Sequence, residues 1–98
     1  MTEKLKILIV DDETAIRDMI GVALETAGFD FLMADNARDA HISIVDHRPD
    51  LVLLDWMLPG GSGIDLARRL KRDELTADIP IIMLTAKTSE DKIGRAHV

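Results

Sequence analysis

Four short apolar runs, separated by segments of helical periodicity, constrain the fold of this chain more than any other feature. Three of the runs are nearly continuous in Val, Ile, Leu and Met, which is typical of strands buried on both faces of a sheet. The runs lie at residues 6–10, 29–34, 51–54 and 81–84, and the second is the least apolar. The alternation of strands and helices predicts an α/β fold, a parallel sheet with helices on its faces.

Three segments between the runs are predicted to be helices. The first begins at Thr14 and is followed by Gly28, where a left-handed cap would end it. The second extends from a cap at Asn36 to residue 46, ahead of Pro49, and the third covers residues 64–72. The apolar positions predicted to face the sheet from the second and third helices are Ala37, Ala40, Ile44, Val45, Ile64, Ala67 and Leu70.

Composition narrows the classes of function. The 98 residues suffice for one domain. The 18 acidic against 12 basic residues give a net charge of −6, which disfavours nucleic acid as a direct partner. The absence of cysteine excludes disulfides and thiolate metal sites. No apolar run approaches the roughly 20 residues of a membrane span, so we expect a cytoplasmic protein without membrane contact.

Polar side chains follow three of the predicted strands at the point where each strand ends. Asp11 and Asp12 follow the first, Asp55 the third and Thr85 the fourth. Because the carboxyl ends of parallel strands meet at one edge of a sheet, we expect these four side chains to lie close together. The alternative for each acid taken alone is a helix cap or a solvated loop residue.

Three carboxylates at one place repel one another unless a cation lies between them. Oxygen ligands without His or Cys suit Mg²⁺, which neutralises and orients phosphoryl oxygens. A carboxylate can itself act as the nucleophile and form an aspartyl phosphate, while Thr85 can donate its hydroxyl to a phosphoryl oxygen. The pattern therefore predicts magnesium-dependent phosphoryl transfer to an aspartate.

Three motifs, at residues 7–13, 51–63 and 79–86, resemble the receiver domain of two-component response regulators of the winged-helix subfamily. The resemblance covers residues 6–91. It implies a flavodoxin-like (CheY-like) doubly wound parallel sheet and a phosphoacceptor signalling domain rather than an enzyme.

The resemblance also implies roles for individual residues and partners. Asp55 would accept the phosphoryl group from a sensor histidine kinase. Asp11, Asp12, Asp55 and the backbone carbonyl of Met57 would bind Mg²⁺, and Thr85 would be the switch hydroxyl. The full-length protein would form a homodimer through this domain and control transcription through a C-terminal DNA-binding domain. The fragment itself would not contact nucleic acid.

The sequence departs from the family after the fourth strand, because the fifth strand with its Lys-Pro pair and the last helices are missing. We therefore expect a truncated receiver domain at residues 1–92, with four of five strands. Residues 93–98 match the in-frame translation of a sequencing adapter, and we interpret them as a non-native tail. The alternative is a genuine divergent helix.

Two other function classes compete with the receiver interpretation. A phosphatase of the haloacid dehalogenase type needs a second acid two residues after its aspartate, where this chain has Met57. A phosphorylation-independent interaction module need not retain the acids and the threonine together. Trp56, directly after Asp55, is either a packing residue or an anchor for a partner.

Overall fold

Strands and helices alternate through residues 4–59 and 61–84, which are the residues that the computed structural model describes. The elements are β1 (Lys6–Val10), α1 (Thr14–Thr26), β2 (Asp30–Ala34), α2 (Ala37–His47), β3 (Leu51–Asp55), β4 (Met57–Leu58), β5 (Gly61–Ser62), α3 (Gly63–Arg72) and β6 (Ile81–Leu84). The predicted switch residue Thr85 and the predicted tail at residues 93–98 lie outside the described residues.

The central sheet has the order β2-β1-β3-β6 in the described residues, and all of its neighbouring strands are parallel. Leu8 of β1 lies between Leu32 of β2 and Val52 of β3, and Leu53 of β3 is paired with Ile82 of β6. The strand order reverses direction at β1, as in flavodoxin-like folds. The predicted α/β fold with a parallel sheet is confirmed.

Helices cover both faces of the sheet. Side chains alternate between the faces of a strand, so every second residue faces the same layer. One face packs against α2 and α3 in a core that includes Leu8, Val10, Val52 and Leu54. The opposite face carries α1, where a Cβ at Gly21 would lie 2.9 Å from the ring of Phe31. The sheet is therefore doubly wound.

The ends of the helices follow local chemistry. The side chain of Asn36 accepts a hydrogen bond from the backbone N–H of Asp39 at 2.8 Å, so the predicted cap of α2 is confirmed. Helix α2 ends at His47, and its capping residue Arg48, directly before the predicted breaker Pro49, has a left-handed φ of 45°. Gly28, at φ 93°, follows the end of α1.

The predicted inward faces of two helices need correction. Val45 is 46% exposed, so the prediction that it faces the sheet is wrong. Successive helical residues are separated by about 100° around the axis, and the neighbouring Ile44 already occupies the inward direction. In α3 the buried leucines are Leu70, as predicted, and Leu66, which the prediction omitted. Ile64 and Ala67 are only partly buried.

None of the helices in residues 4–59 and 61–84 has the length and hydrophobicity of a membrane span.

A set of side-chain hydrogen bonds holds the loop between α3 and β6. The hydroxyl of Thr76, 1% exposed, donates to the carbonyl of Leu70 at 2.7 Å. The Lys71 ammonium donates to the carbonyls of Ala77 at 3.1 Å and Ile79 at 2.8 Å. The first bond occupies a carbonyl in the last turn of α3, where helical partners run out. The two Lys71 bonds tie that end of the helix to the loop that leads into β6.

We predict that Thr76→Val destabilises the fold by about 1–3 kcal/mol, because the isosteric side chain leaves the buried carbonyl of Leu70 without its donor. Urea unfolding followed by circular dichroism measures the change. The matched control is Thr26→Val at the exposed end of α1, which should stay within about 0.5 kcal/mol of wild type. Equal stability of the two variants would contradict the role of the Thr76 hydroxyl.

Candidate acidic site

Three carboxylates meet at the carboxyl edge of the sheet. Val10 is paired with Leu54 across β1 and β3, so the residues that follow them, Asp11 and Asp55, lie side by side. One carboxylate oxygen from each of Asp11, Asp12 and Asp55 lies within 4.8 Å of the others. The structure therefore brings together the three acids that the strand ends predict to be neighbours.

The three acids differ in exposure. Asp11 is 1% exposed and Asp55 is 0% exposed, whereas Asp12 lies at the surface. The two buried residues sit at the ends of the two central strands, and the surface residue belongs to the loop that leads into α1. The cluster thus has an inner part within the protein and an outer part that solvent reaches.

Backbone N–H groups orient the two buried carboxylates. The N–H of Glu13 donates to Oδ1 of Asp11 at 2.9 Å, and the N–H of Trp56 donates to Oδ1 of Asp55 at 2.9 Å. The N–H of Asp11 donates to the carbonyl of Ala34 at 3.2 Å, which continues the pairing of β1 with β2 by one residue. The two bonds to Oδ1 restrict the rotation of these carboxylates.

The donor set fits a hard divalent cation. All three side chains offer oxygen, and the cluster contains neither His nor Cys. Mg²⁺ binds through a few carboxylates and retains several of its waters, which the solvent-facing Asp12 permits. A cation between these carboxylates also removes the repulsion that their proximity creates. Asp11, Asp12 and Asp55 can therefore hold a hard divalent metal ion.

For the other residues that the sequence singled out near the site, the structure does not decide their roles. Met57 is the first residue of the short strand β4, and its side chain is 63% exposed. The use of its backbone carbonyl as a metal ligand stays a prediction. Trp56 is 37% exposed, a value that fits both packing and contact with a partner. Thr85 follows the last described residue, so its role also stays a prediction.

Gly63 is a site residue that the sequence analysis treated only as part of a loop. The hairpin of β4 and β5 returns the chain to Asp55, and the N–H of Gly63 donates to the carbonyl of Trp56 at 2.7 Å. A Cβ at Gly63 would lie 1.9 Å from the backbone oxygen of Asp55, a distance at which the main chain has to move. The signal in the sequence is a glycine eight residues after Asp55, next to Ser62, which caps α3.

Arg17 is a second residue that the sequence analysis missed. Its guanidinium donates to the backbone carbonyl of Asp11 at 2.8 Å and to the hydroxyl of Thr14 at 3.3 Å. A contact with a main-chain carbonyl leaves no pattern of complementary side chains, so the sequence alone did not indicate it.

Comparison with known proteins places these observations in a family. Residues 7–97 match the family described as response regulator receiver domain. The phosphate regulon transcriptional regulatory protein PhoB of Pseudomonas aeruginosa is 73% identical over 85 residues, which are 87% of this chain and 37% of that protein. PhoB of Escherichia coli is 48% identical over 86 residues, 88% of this chain and 38% of that protein. The chain thus spans 37–38% of the length of these curated relatives.

Solved structures show the same fold. The N-terminal domain of a response regulator receiver protein from Methanoculleus marisnigri superposes with a TM-score of 0.78 at 32% identity, covering 95% of this chain and 79% of that one. The chemotaxis response regulator CheY4 of Vibrio cholerae gives a TM-score of 0.79 at 26% identity, with 92% and 79% covered.

We predict that Gly63→Ala weakens Mg²⁺ binding by about 10-fold or more, because the added methyl group displaces the backbone that carries Asp55. A Mg²⁺ titration followed by the fluorescence of the adjacent Trp56 measures the affinity.

The matched control is Gly28→Ala, which also strains the backbone, at φ 93°, but has open space around it at the end of α1. That variant should lose about 1 kcal/mol of stability and keep its Mg²⁺ affinity. If both variants bind Mg²⁺ as wild type does, the contact between Gly63 and Asp55 does not shape the site.

Proposed function

The chain belongs to the response regulator receiver domain family, and we propose on that premise that its acidic site accepts a phosphoryl group on Asp55. Receiver domains are signalling domains rather than enzymes, which sets aside the phosphatase alternative. The observation that carries the proposal is the cluster of Asp11, Asp12 and Asp55 within 4.8 Å at the carboxyl edge of the sheet. The phosphoryl donor would be the phosphohistidine of a sensor histidine kinase.

In this proposal Mg²⁺ is held by Asp11, Asp12, Asp55 and the backbone carbonyl of Met57. When bound, Mg²⁺ neutralises charge on the phosphoryl oxygens and orients them for in-line displacement. The hydrogen bond from Trp56 to Oδ1 holds the Asp55 carboxylate in one rotational position, which favours a fixed direction of attack. The support for these assignments is the all-oxygen donor set and the partly open position of Asp12.

The transfer forms one bond and breaks another. A carboxylate oxygen of Asp55 forms a bond to phosphorus, the phosphorus–nitrogen bond of the donor breaks, and the imidazole leaves with the electron pair. The hydroxyl of Thr85 would then donate a hydrogen bond to a phosphoryl oxygen. That contact would bias the domain between two conformations and alter the surface used for dimerisation.

The whole protein would extend this chemistry to gene control. Because the two PhoB relatives are transcriptional regulatory proteins of which the chain spans 37–38%, we propose that a DNA-binding domain outside this chain reads the phosphorylation state. The full-length protein would be cytoplasmic and would dimerise through the receiver domain, without contact between this domain and DNA.

The division of the chain is part of the same proposal. The receiver unit would cover residues 1–92, and residues 93–98 would be a non-native tail. Genomic sequence across codons 92–98 tests this division, because a native gene that encodes the same six residues would overturn it.

We predict that Asp55→Asn abolishes incorporation of a phosphoryl group, because the amide removes the nucleophilic carboxylate. Full-length protein is incubated with acetyl phosphate and Mg²⁺, and its intact mass is measured. The matched control is Asp35→Asn, an exposed acid that follows β2 at the same edge of the sheet, and this variant should incorporate phosphate as wild type does.

Two results would contradict the assignment. Continued labelling of Asp55→Asn would move the acceptor to another residue. A wild-type protein that takes up no phosphoryl group but still binds its partners would instead support the phosphorylation-independent interaction module.

A further inference from the structure

The guanidinium of Arg17 contacts the main chain of the acidic site. Arg17 lies near the beginning of α1 and donates through Nη1 to the backbone oxygen of Asp11 at 2.8 Å, and through Nη2 to Thr14 at 3.3 Å. It also lines a cavity of about 270 Å³ beside the exposed acids Asp35 and Asp39. Among the ion pairs of the described residues, none joins Arg17 to either acid. The guanidinium of Arg17 is therefore positioned by its contact with the Asp11 carbonyl rather than by an ion pair with Asp35 or Asp39.

Within the described residues, three hydrogen bonds involve the backbone or the carboxylate of Asp11, and Arg17 supplies one of them. Its N–H donates to the carbonyl of Ala34, ahead of the peptide group that leads to Asp12. Its carboxylate accepts from the N–H of Glu13, on the far side of Asp12. Its carbonyl begins the peptide group that leads to Asp12, and Arg17 is the side chain that donates to this carbonyl. The orientation of that peptide group determines where the next side chain starts.

Asp12 depends on this peptide group more than the other two acids do. Asp11 and Asp55 are enclosed by the sheet, with exposures of 1% and 0%, whereas Asp12 is at the surface. Packing therefore contributes less to the position of Asp12, and the direction of its main chain contributes more. Its carboxylate nevertheless belongs to the cluster within 4.8 Å.

We propose that Arg17 is a positioning residue for the metal site, which holds the peptide between Asp11 and Asp12 and so keeps the Asp12 carboxylate in reach of Mg²⁺. This inference rests on the proposed function, in which Mg²⁺ is bound by the three carboxylates. Arg17 acts through the backbone and contacts neither the metal nor the phosphoryl group.

Charge and geometry make opposite predictions for the loss of this side chain. A positive charge beside a cation site weakens metal binding, so a purely electrostatic role predicts tighter Mg²⁺ binding when Arg17 is replaced by a neutral residue. A positioning role predicts weaker binding, as is observed when groups that orient metal ligands are removed. The sign of the change in affinity therefore separates the two roles.

The experiment compares three variants of the full-length protein by Mg²⁺ titration with Trp56 fluorescence. Arg17→Gln should bind Mg²⁺ about 5- to 10-fold more weakly than wild type, near the lower limit for an indirect contact. The Mg²⁺ affinity of Arg17→Lys, which retains the charge and a donor, should lie between those of Arg17→Gln and wild type. Arg72→Gln removes the same charge at the far end of α3 and should match wild type.

A second readout tests whether the effect passes through the metal. At saturating Mg²⁺, Arg17→Gln should take up a phosphoryl group from acetyl phosphate at nearly the wild-type rate. A rate that stays low at saturating Mg²⁺ would overturn the positioning role, because it would place the guanidinium on the phosphoryl group itself. Thermal melts of each variant show that it is folded, and Arg17→Lys gives the answer if Arg17→Gln does not fold.

Unchanged or tighter Mg²⁺ binding by the Arg17 variants would overturn the inference while leaving the proposed function in place. A wild-type protein that does not bind Mg²⁺ would instead overturn the proposed function, and the inference with it.

Discussion

The close approach of carboxylates at the ends of two neighbouring parallel strands is the constraint on which the rest of the site depends. Strands β1 and β3 are paired in register up to Val10 and Leu54, so the residues that follow, Asp11 and Asp55, lie beside each other. Both of these residues are acidic and both are buried. Two buried negative charges at this distance are unfavourable in isolation, and the structure meets that cost with backbone N–H donors and a geometry open to a cation.

A cation at this place would link metal binding to the stability of the fold. Mg²⁺ bound by the folded chain and not by the unfolded chain stabilises the native state by RT ln(1 + c/Kd), which rises with the concentration c of free Mg²⁺. The three acids are connected to the fold by the central strands β1 and β3, whose residues Leu8, Val10, Val52 and Leu54 are fully buried. The site therefore rests on the buried centre of the sheet, while its outer acid, Asp12, lies on a loop.

Much of this arrangement could be predicted from the sequence because it follows from periodicity and from the rules of parallel sheets. The strand positions, the cap at Asn36 and the meeting of Asp11, Asp12 and Asp55 need only the chain order and one dominant topology. The errors at Val45 and Leu66 arose because a short helix with mixed polarity permits more than one inward direction.

Contacts that depend on the path of the main chain could not be predicted from the sequence. The approach of Gly63 to Asp55 and the bond from Arg17 to Asp11 both end on a main-chain carbonyl, a group that every residue type possesses. No choice of side chain at the receiving residue records such a contact. The donor or the missing Cβ is visible in the sequence, but its partner is visible only in three dimensions.

The short hairpin between Asp55 and Gly63 has a consequence for how this part of the chain can vary. Surface loops commonly accept insertions and deletions, because their ends are held by the elements they connect. Here the N–H of Gly63 donates to the carbonyl of Trp56 at 2.7 Å, which fixes the length of the segment. The close approach of Gly63 to the backbone of Asp55 also fixes the identity of its last residue. Insertions and deletions should therefore occur in other surface loops, and this turn should tolerate a change in length as poorly as a core element does.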